Sequence, residues 1–273
     1  MNSRRNAWLV NLALVLCAAL VVFPLFWMLS VSFMQPGEAN NLPPPMLPLH
    51  PTLANYRQLF VHAGMGRYFA NSLMISSAIT LLSLACNTLA GYAFAKLHFA
   101  GREKLFGALI GALVVPAQVA MLPLFLLLKY VGLVNTYAAV ILPAMASVFG
   151  IFLVRQYARS LPCELLEAAR VDGASELRIF LQIVLPLLKP ILVTLAVFTF
   201  LTAWNDFMWP LIALTGERHY TLPVGLASLS REHVQDSGLM MAGAVVTVIP
   251  VLLLFLALQR YYLRGLLLGS VKG

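Results

Sequence analysis

Two stretches of this chain carry side chains that could do something other than pack. The first is Glu167-Ala168-Ala169-Arg170-Val171-Asp172-Gly173-Ala174, which runs on to Ile183-Val184-Leu185-Pro186 and Pro190. Four acids and five bases fall between Arg155 and Lys189 in a sequence only 10% charged. Charges grouped on a short stiff segment suit charge-assisted contacts with another surface. The second stretch is Trp204-Asn205-Asp206-Phe207-Met208-Trp209-Pro210, where one acid stands among aromatics in an apolar run. Catalysis has no comparable set. No G-x-x-x-x-G-K-S/T occurs, so the chain lacks the usual cradle for nucleotide phosphates. His50, His62, His98, His219 and His233 are dispersed without metal-ligand spacing, and no Ser, His and acid constellation stands out. Catalytic, cofactor-binding and metal sites are all expected to be absent, and the chain is not expected to be an enzyme.

The first stretch must be held by two short helices. Ser160 is placed to cap one, Pro162 suits its first turn, and Glu164 and Glu167 complement the positive end of its dipole. Gly173 permits the left-handed residue that stops the helix, and Ser175-Glu176 start the next. Small Ala168 and Ala169 let the first helix lie flat against a partner. The expected product is a rigid charged knob.

What surrounds the knob is oily. Of 273 residues, 61% are hydrophobic, which is too many for a water-soluble domain of this size. Spans of bilayer length are expected at 8–29, 72–95, 105–128, 137–154, 190–212 and 239–259. An all-α integral membrane protein with six transmembrane helices is expected. An inward N-terminus places thirteen of the eighteen Lys and Arg residues on the cytosolic side, among them Lys96, Arg155 and Arg170. Only Arg57, Arg67, Lys129, Arg218 and Arg231 then lie outside, as the positive-inside rule requires. Both termini and the knob are thus expected in the cytosol. The net charge of +8 follows from topology, and no basic patch interleaved with aromatics points to nucleic acid.

Arg4-Arg5 before an apolar run also begins a signal peptide, but the run to Leu29 is long and ends in no small-x-small site. An uncleaved first helix is expected. Cys17, Cys86 and Cys163 read as packing residues, without a disulfide framework. The stretch from Gln35 to Arg67 is the longest external one, irregular around Leu42-Pro43-Pro44-Pro45, with a short helix at Asn55–Phe60. Prolines 24, 116, 123, 143, 210 and 250 within spans imply bends beside a cavity. Gly107 and Gly111 suit close helix packing. Asp206 lies about 25 Å beyond Lys189 at 1.5 Å per helical residue, near the outer third of the bilayer. An ionisable group there is costly unless it faces protein or water. For Trp204, Asn205, Asp206 and Trp209, polar packing and contact with a solute both remain open.

The Glu167 segment resembles the EAA loop of the permease subunits of bacterial ABC importers. The pattern E-A-A-x-x-D-G-A with a following L-P is met at Glu167, Ala168, Ala169, Asp172, Gly173, Ala174, Leu185 and Pro186. The W-N-D-F-x-W-P-L run and the ending Gly269-Ser270-Val271-Lys272-Gly273 look like carbohydrate-uptake permeases, with the six-helix permease of the maltose-importer type the nearest comparison. The resemblance implies the type I ABC importer permease fold in a bacterial inner or plasma membrane. It implies alternating access for a sugar, a di- or oligosaccharide, driven by a separate ATPase. The implied partners are a second homologous permease, two ATP-binding cassette subunits, an extracytoplasmic substrate-binding protein and membrane lipid. No cofactor is implied for this chain, since ATP and Mg are used by the partner. Glu167, Ala168, Ala169, Arg170, Asp172 and Gly173 are implied to couple to the ATPase, and Gly269, Ser270, Val271 and Lys272 to dock as a tail. The implied organisation is residues 1–71 as first helix and external loop, 72–265 as permease core with the coupling loop at about 160–190, and 266–273 as cytosolic tail. The alternatives are another small polar solute, such as a glycerol phosphodiester, or an ion-coupled secondary transporter. The latter expects internal repeats and several mid-bilayer charges, which this chain lacks.

Overall fold

A computed structural model describes residues 2–41, 43–232 and 236–268, and among them there is no strand. The helices are α1 (Asn2–Ser32), α2 (Ala54–Val61), α3 (Met65–Lys96), α4 (Arg102–Ala112), α5 (Ala117–Tyr130), α6 (Tyr137–Ala144) and α7 (Val148–Arg159). They continue with α8 (Cys163–Val171), α9 (Glu176–Ile179), α10 (Leu185–Asn205), α11 (Met208–Ala213), α12 (Leu222–Glu232) and α13 (Ser237–Leu268). A π segment, Phe180–Val184, carries α9 into α10 without a break.

Among the described residues, five spans are long and apolar enough to cross a bilayer: Trp8–Ser32, Met65–Lys96, Tyr137–Arg159, Glu176–Asn205 and Ser237–Ala257. The expected span at 105–128 is not one straight helix. It is α4 and α5, bent by 101°. Pro116 lacks an N–H, steers Val115 away from helical geometry, and is itself extended (ψ 131°). The expected span at 190–212 is displaced toward the N-terminus, because the helix is already continuous from Glu176 and stops at Asn205. Asp206 is extended (ψ 122°), and Pro210 sits in the first turn of a separate α11.

The chain forms two compact units, residues 1–69 with 222–250 and residues 70–221 with 251–273. In the first, α1 is exposed along most of its length, and its end is gripped. Val31, Met34, Leu59, Met65 and Leu239 are buried together with Asn55. Asn55 Nδ2 donates to the carbonyls of Ser32 (3.1 Å) and Met34 (2.9 Å), closing the last turn of α1 on α2. The intervening loop is fastened rather than loose. Ser30 donates to the Met46 carbonyl at 2.7 Å, and the Glu38 carboxylate accepts from the N–H groups of Gln35 and Leu49. The short helix expected at Asn55–Phe60 is thus a structural clamp.

In the second unit, one core gathers Tyr92, Val154, Ala158, Leu166, Ile179, Phe180 and Val184, where α3, α7 and α8 meet the α9–α10 helix. Another gathers Ile75, Ile79, Leu128, Val140, Trp209 and Ala213. Gly91 is the close approach between α3 and α7, since a Cβ there would stand 2.6 Å from Val154. Gly107 and Gly111 are not packing residues within this chain. Both are exposed and nothing lies within 4 Å of where a Cβ would be. Cys17 is likewise exposed rather than packed.

Candidate functional site

The knob is built as its residues require. Leu166 is buried in the core and anchors α8. Gly173 is left-handed (φ 78°), and two backbone bonds close the turn: Gly173 N–H to the Arg170 carbonyl and Ala174 N–H to the Ala169 carbonyl, both 3.0 Å. This crossed pair is the Schellman arrangement, which satisfies carbonyls that a helix end leaves open. Ser175 accepts from the Arg178 N–H and starts α9. Arg170 Nε reaches Glu176 Oε1 at 2.6 Å across the turn, and Tyr92 of α3 donates to the other carboxylate oxygen at 3.1 Å. The hydrogen bond that Arg170 donates to Glu176 pushes the guanidinium above its ordinary range, so its charge is committed within the chain.

One capping assignment needs correction. Ser160 does not cap α8. It ends α7, and its hydroxyl donates to the Tyr157 carbonyl at 2.7 Å. Pro162 occupies the N-cap of α8 without a side-chain cap, and Glu164 is the acid of its first turn, near the positive end of the dipole. The support beneath α8 comes from buried Lys96, whose Nζ donates to the Leu161 carbonyl (2.6 Å) and Cys163 Sγ (3.3 Å). Cys163 itself is exposed and so is not a core packing residue. Buried Arg155 likewise works inward. It donates to the Phe94 carbonyl, pairs with Glu103 at 3.0 Å and lies over the Phe106 ring. Facing outward are Glu164, Glu167, Ala168, Asp172 and an apolar set, Leu165, Val171 (87% exposed) and Leu177 (65%). The apolar part was overlooked because charge drew attention first, although Leu165, Val171 and Leu177 are plain in the sequence.

The second site is a cleft of about 780 Å³ within the second unit, at the meeting of three helix interruptions. Gln118 follows the Pro116 break, Ser147 lies in the gap between α6 and α7, and Asp206 lies between α10 and α11; all three line the cleft. Each interruption is held. Asn87 accepts from the Ser147 N–H at 3.0 Å, Ser147 Oγ caps α7 by accepting from Gly150, and Trp209 Nε1 donates to the Ala139 carbonyl at 3.0 Å. Asp206 Oδ1 accepts from the Trp209 N–H at 3.4 Å, so the acid caps α11 while lining the cleft. Trp209 shares that wall. Trp204 is fully buried, stacked on Phe200, and Asn205 folds back on the Leu201 carbonyl, so neither joins the lining. Gly269, Ser270, Val271 and Lys272 lie outside the described residues. No group of three or more potential metal ligands occurs among the described residues.

Helix breaks around one cleft thus occur in a chain of apolar spans that also carries a braced knob. Residues 87–267 match the family of binding-protein-dependent transport system inner membrane components. The chain belongs to that family. It is therefore a multi-pass permease of the inner membrane, and ATP is hydrolysed by a separate subunit. The permease is 40% identical over 270 residues to the arabinooligosaccharides transport system permease protein AraQ of Halalkalibacterium halodurans, covering 98% of this chain and 97% of AraQ. It is 41% identical over 223 residues to the osmoprotective compounds uptake permease protein GgtD of Synechocystis sp., covering 81% of this chain and 75% of GgtD. Its fold superposes with a TM-score of 0.85 on a chain of a crystal structure of a bacterial ABC transporter involved in import of the acidic polysaccharide alginate, at 23% identity, over 96% of this chain and 98% of that one. Family membership sets aside the ion-coupled alternative.

Sequence reasoning missed one further polar centre of this permease. Asn135 is left-handed (φ 63°), and its Oδ1 accepts from the N–H groups of Thr215 (3.1 Å) and Gly216 (2.8 Å). Asn71 donates to the carbonyls of Arg218 and Tyr220 and accepts from Tyr137. These partners are some 66 to 149 positions apart, too far for any local pattern to announce them.

Proposed function

We propose that this permease forms one side of the path in an ATP-driven importer of di- or oligosaccharides, working by alternating access. The observation that carries the reading is the braced helix–turn–helix at Cys163–Ile179, which presents acids and bare apolar side chains on a chain without a phosphate loop. Glu167, Ala168, Ala169 and Asp172 dock on an ATP-binding cassette subunit, Arg170 and Gly173 fix the shape they present, and Gly269 to Lys272 dock beside them. The unbroken helix from Glu176 to Asn205 carries motion from the knob to Asp206, at the edge of the cleft. The complex contains a second homologous permease, two ATPase subunits that use ATP and Mg, and an extracytoplasmic binding protein. Counting α4 and α5 as one span gives six, with both termini on the side of the knob.

Oligosaccharide is favoured as solute because AraQ is similar along nearly its whole length. A second reading, uptake of osmoprotective compounds, is supported by the likeness to GgtD. The test is uptake of an arabinooligosaccharide by the reconstituted complex, with Glu167→Lys and Gly173→Pro variants. Both variants are expected to insert and assemble while losing uptake and its coupling to ATP turnover. Full, coupled uptake in both would sink the docking assignment.

A further inference from the structure

The cleft has a one-sided charge. No lysine, arginine or histidine is found among its described lining residues, and Asp206 is the single ionisable side chain there. The Asp206 carboxylate is held at the wall by the Trp209 N–H. Gln118, Thr199 and Thr202 supply neutral groups that both donate and accept, as sugar hydroxyls require. Phe149 (50% exposed) lines the cleft and supplies an aromatic surface for the C–H side of a sugar. A neutral glycan finds a complement for each of its surfaces. A uronate or a phosphodiester finds no cation on this wall, and it meets a like charge where protein replaces part of the screening water.

We infer that this wall excludes anions, with Asp206 as the specificity-determining residue, so that the path takes uncharged oligosaccharides and rejects uronates and phosphate esters. The inference rests on the proposed function for the cleft being the solute path. It separates this permease from the acidic cargo of the alginate importer whose fold it shares. It also speaks against a glycerol phosphodiester as the solute.

The test reads the charge of the wall directly in the assembled complex. Cys17, Cys86 and Cys163 are replaced by serine, and a single thiol is introduced by Thr202→Cys or, independently, Gln118→Cys. Methanethiosulfonate reagents of similar size, one cationic and one anionic, are applied, and their rates are normalised to those on a free small thiol. The cation is expected to be favoured about tenfold, the low end of the enrichment that a cleft of one sign produces. Adding Asp206→Asn, which keeps a cap acceptor, is expected to return the ratio to that of the free thiol. A ratio already at the free-thiol value, a ratio unmoved by Asp206→Asn, or failure of both thiols to react would each overturn the inference. Labelling needs neither sugar nor ATP, so a failure here is distinguishable from a failure of the uptake experiment.

Discussion

Arg170 and Glu176 face each other across the Gly173 turn, Nε to Oε1 at 2.6 Å, and Tyr92 completes the carboxylate from α3. The pair ties the two limbs of the knob at one fixed angle. Both side chains are partly exposed (38% and 49%), so screening leaves the pair only about 0–1 kcal/mol of stability. Its value lies in stiffness. Arg170→Ala and Glu176→Gln are expected to leave the thermal midpoint of the purified complex nearly unchanged while lowering sugar moved per ATP hydrolysed. A large loss of thermal stability with normal coupling would contradict this.

At Gly91 the expected effect is the reverse, structural first. A methyl group there would stand 2.6 Å from Val154 Cβ and 3.1 Å from the Arg155 backbone nitrogen, neither of which can swing away. Gly91→Ala should therefore destabilise by about 1–3 kcal/mol through overpacking. Thermal unfolding in detergent reads this, and adding Val154→Ala, which removes the Cγ1 contact at 2.6 Å but keeps the clashing Cβ, should recover little of the loss.

Asn135 combines a left-handed backbone with two accepted hydrogen bonds. Asn135→Gly keeps the backbone and loses the acceptor, leaving the Thr215 and Gly216 N–H groups to find water. Asn135→Ala adds left-handed strain of about 1–2 kcal/mol. The expected order of thermal stability is Asn, then Gly, then Ala. If Ala equals Gly, the backbone contributes nothing.

The Glu38 carboxylate is held below its ordinary value of 4.5 by hydrogen bonds from the backbone N–H groups of Leu49 and Gln35. A depressed folded-state value means that this fastening is fully present above the unfolded pKa and is lost as pH falls through the folded one. The protection of the Gln35 and Leu49 amides, measured at each pH against their intrinsic exchange rates, should therefore fall on acidification below that ordinary value, and Glu38→Gln should flatten the dependence. Wild-type protection that does not change with acidification would refute the role.

The sequence disclosed most where backbone chemistry is local. Gly173 and Ser175 announced a turn and a cap by residue type alone, and both are found there. Ser160 misled because Ser-Leu-Pro offers two starts for a helix, and Pro162 took the N-cap while Ser160 closed α7. A count of charges does not show what each one touches. Lys96 and Arg155 count toward a basic cytosolic side, yet both point inward to carbonyls, a thiol and an aromatic ring. At the cleft, Asp206 was noticed as an oddity, but its companion Gln118 lies 88 positions away (206 − 118), and only folding makes them neighbours.

The knob draws its stiffness from backbone bonds at the turn and from Arg170, Glu176 and Tyr92, while the positions that face away, such as Glu164, Leu165 and Val171, take no part in that bracing. Shape and recognition are thus written in different residues. Under the proposed docking, a lineage carrying this fold can retune which ATPase it accepts by exchanging a few outward side chains, without rebuilding the turn beneath them.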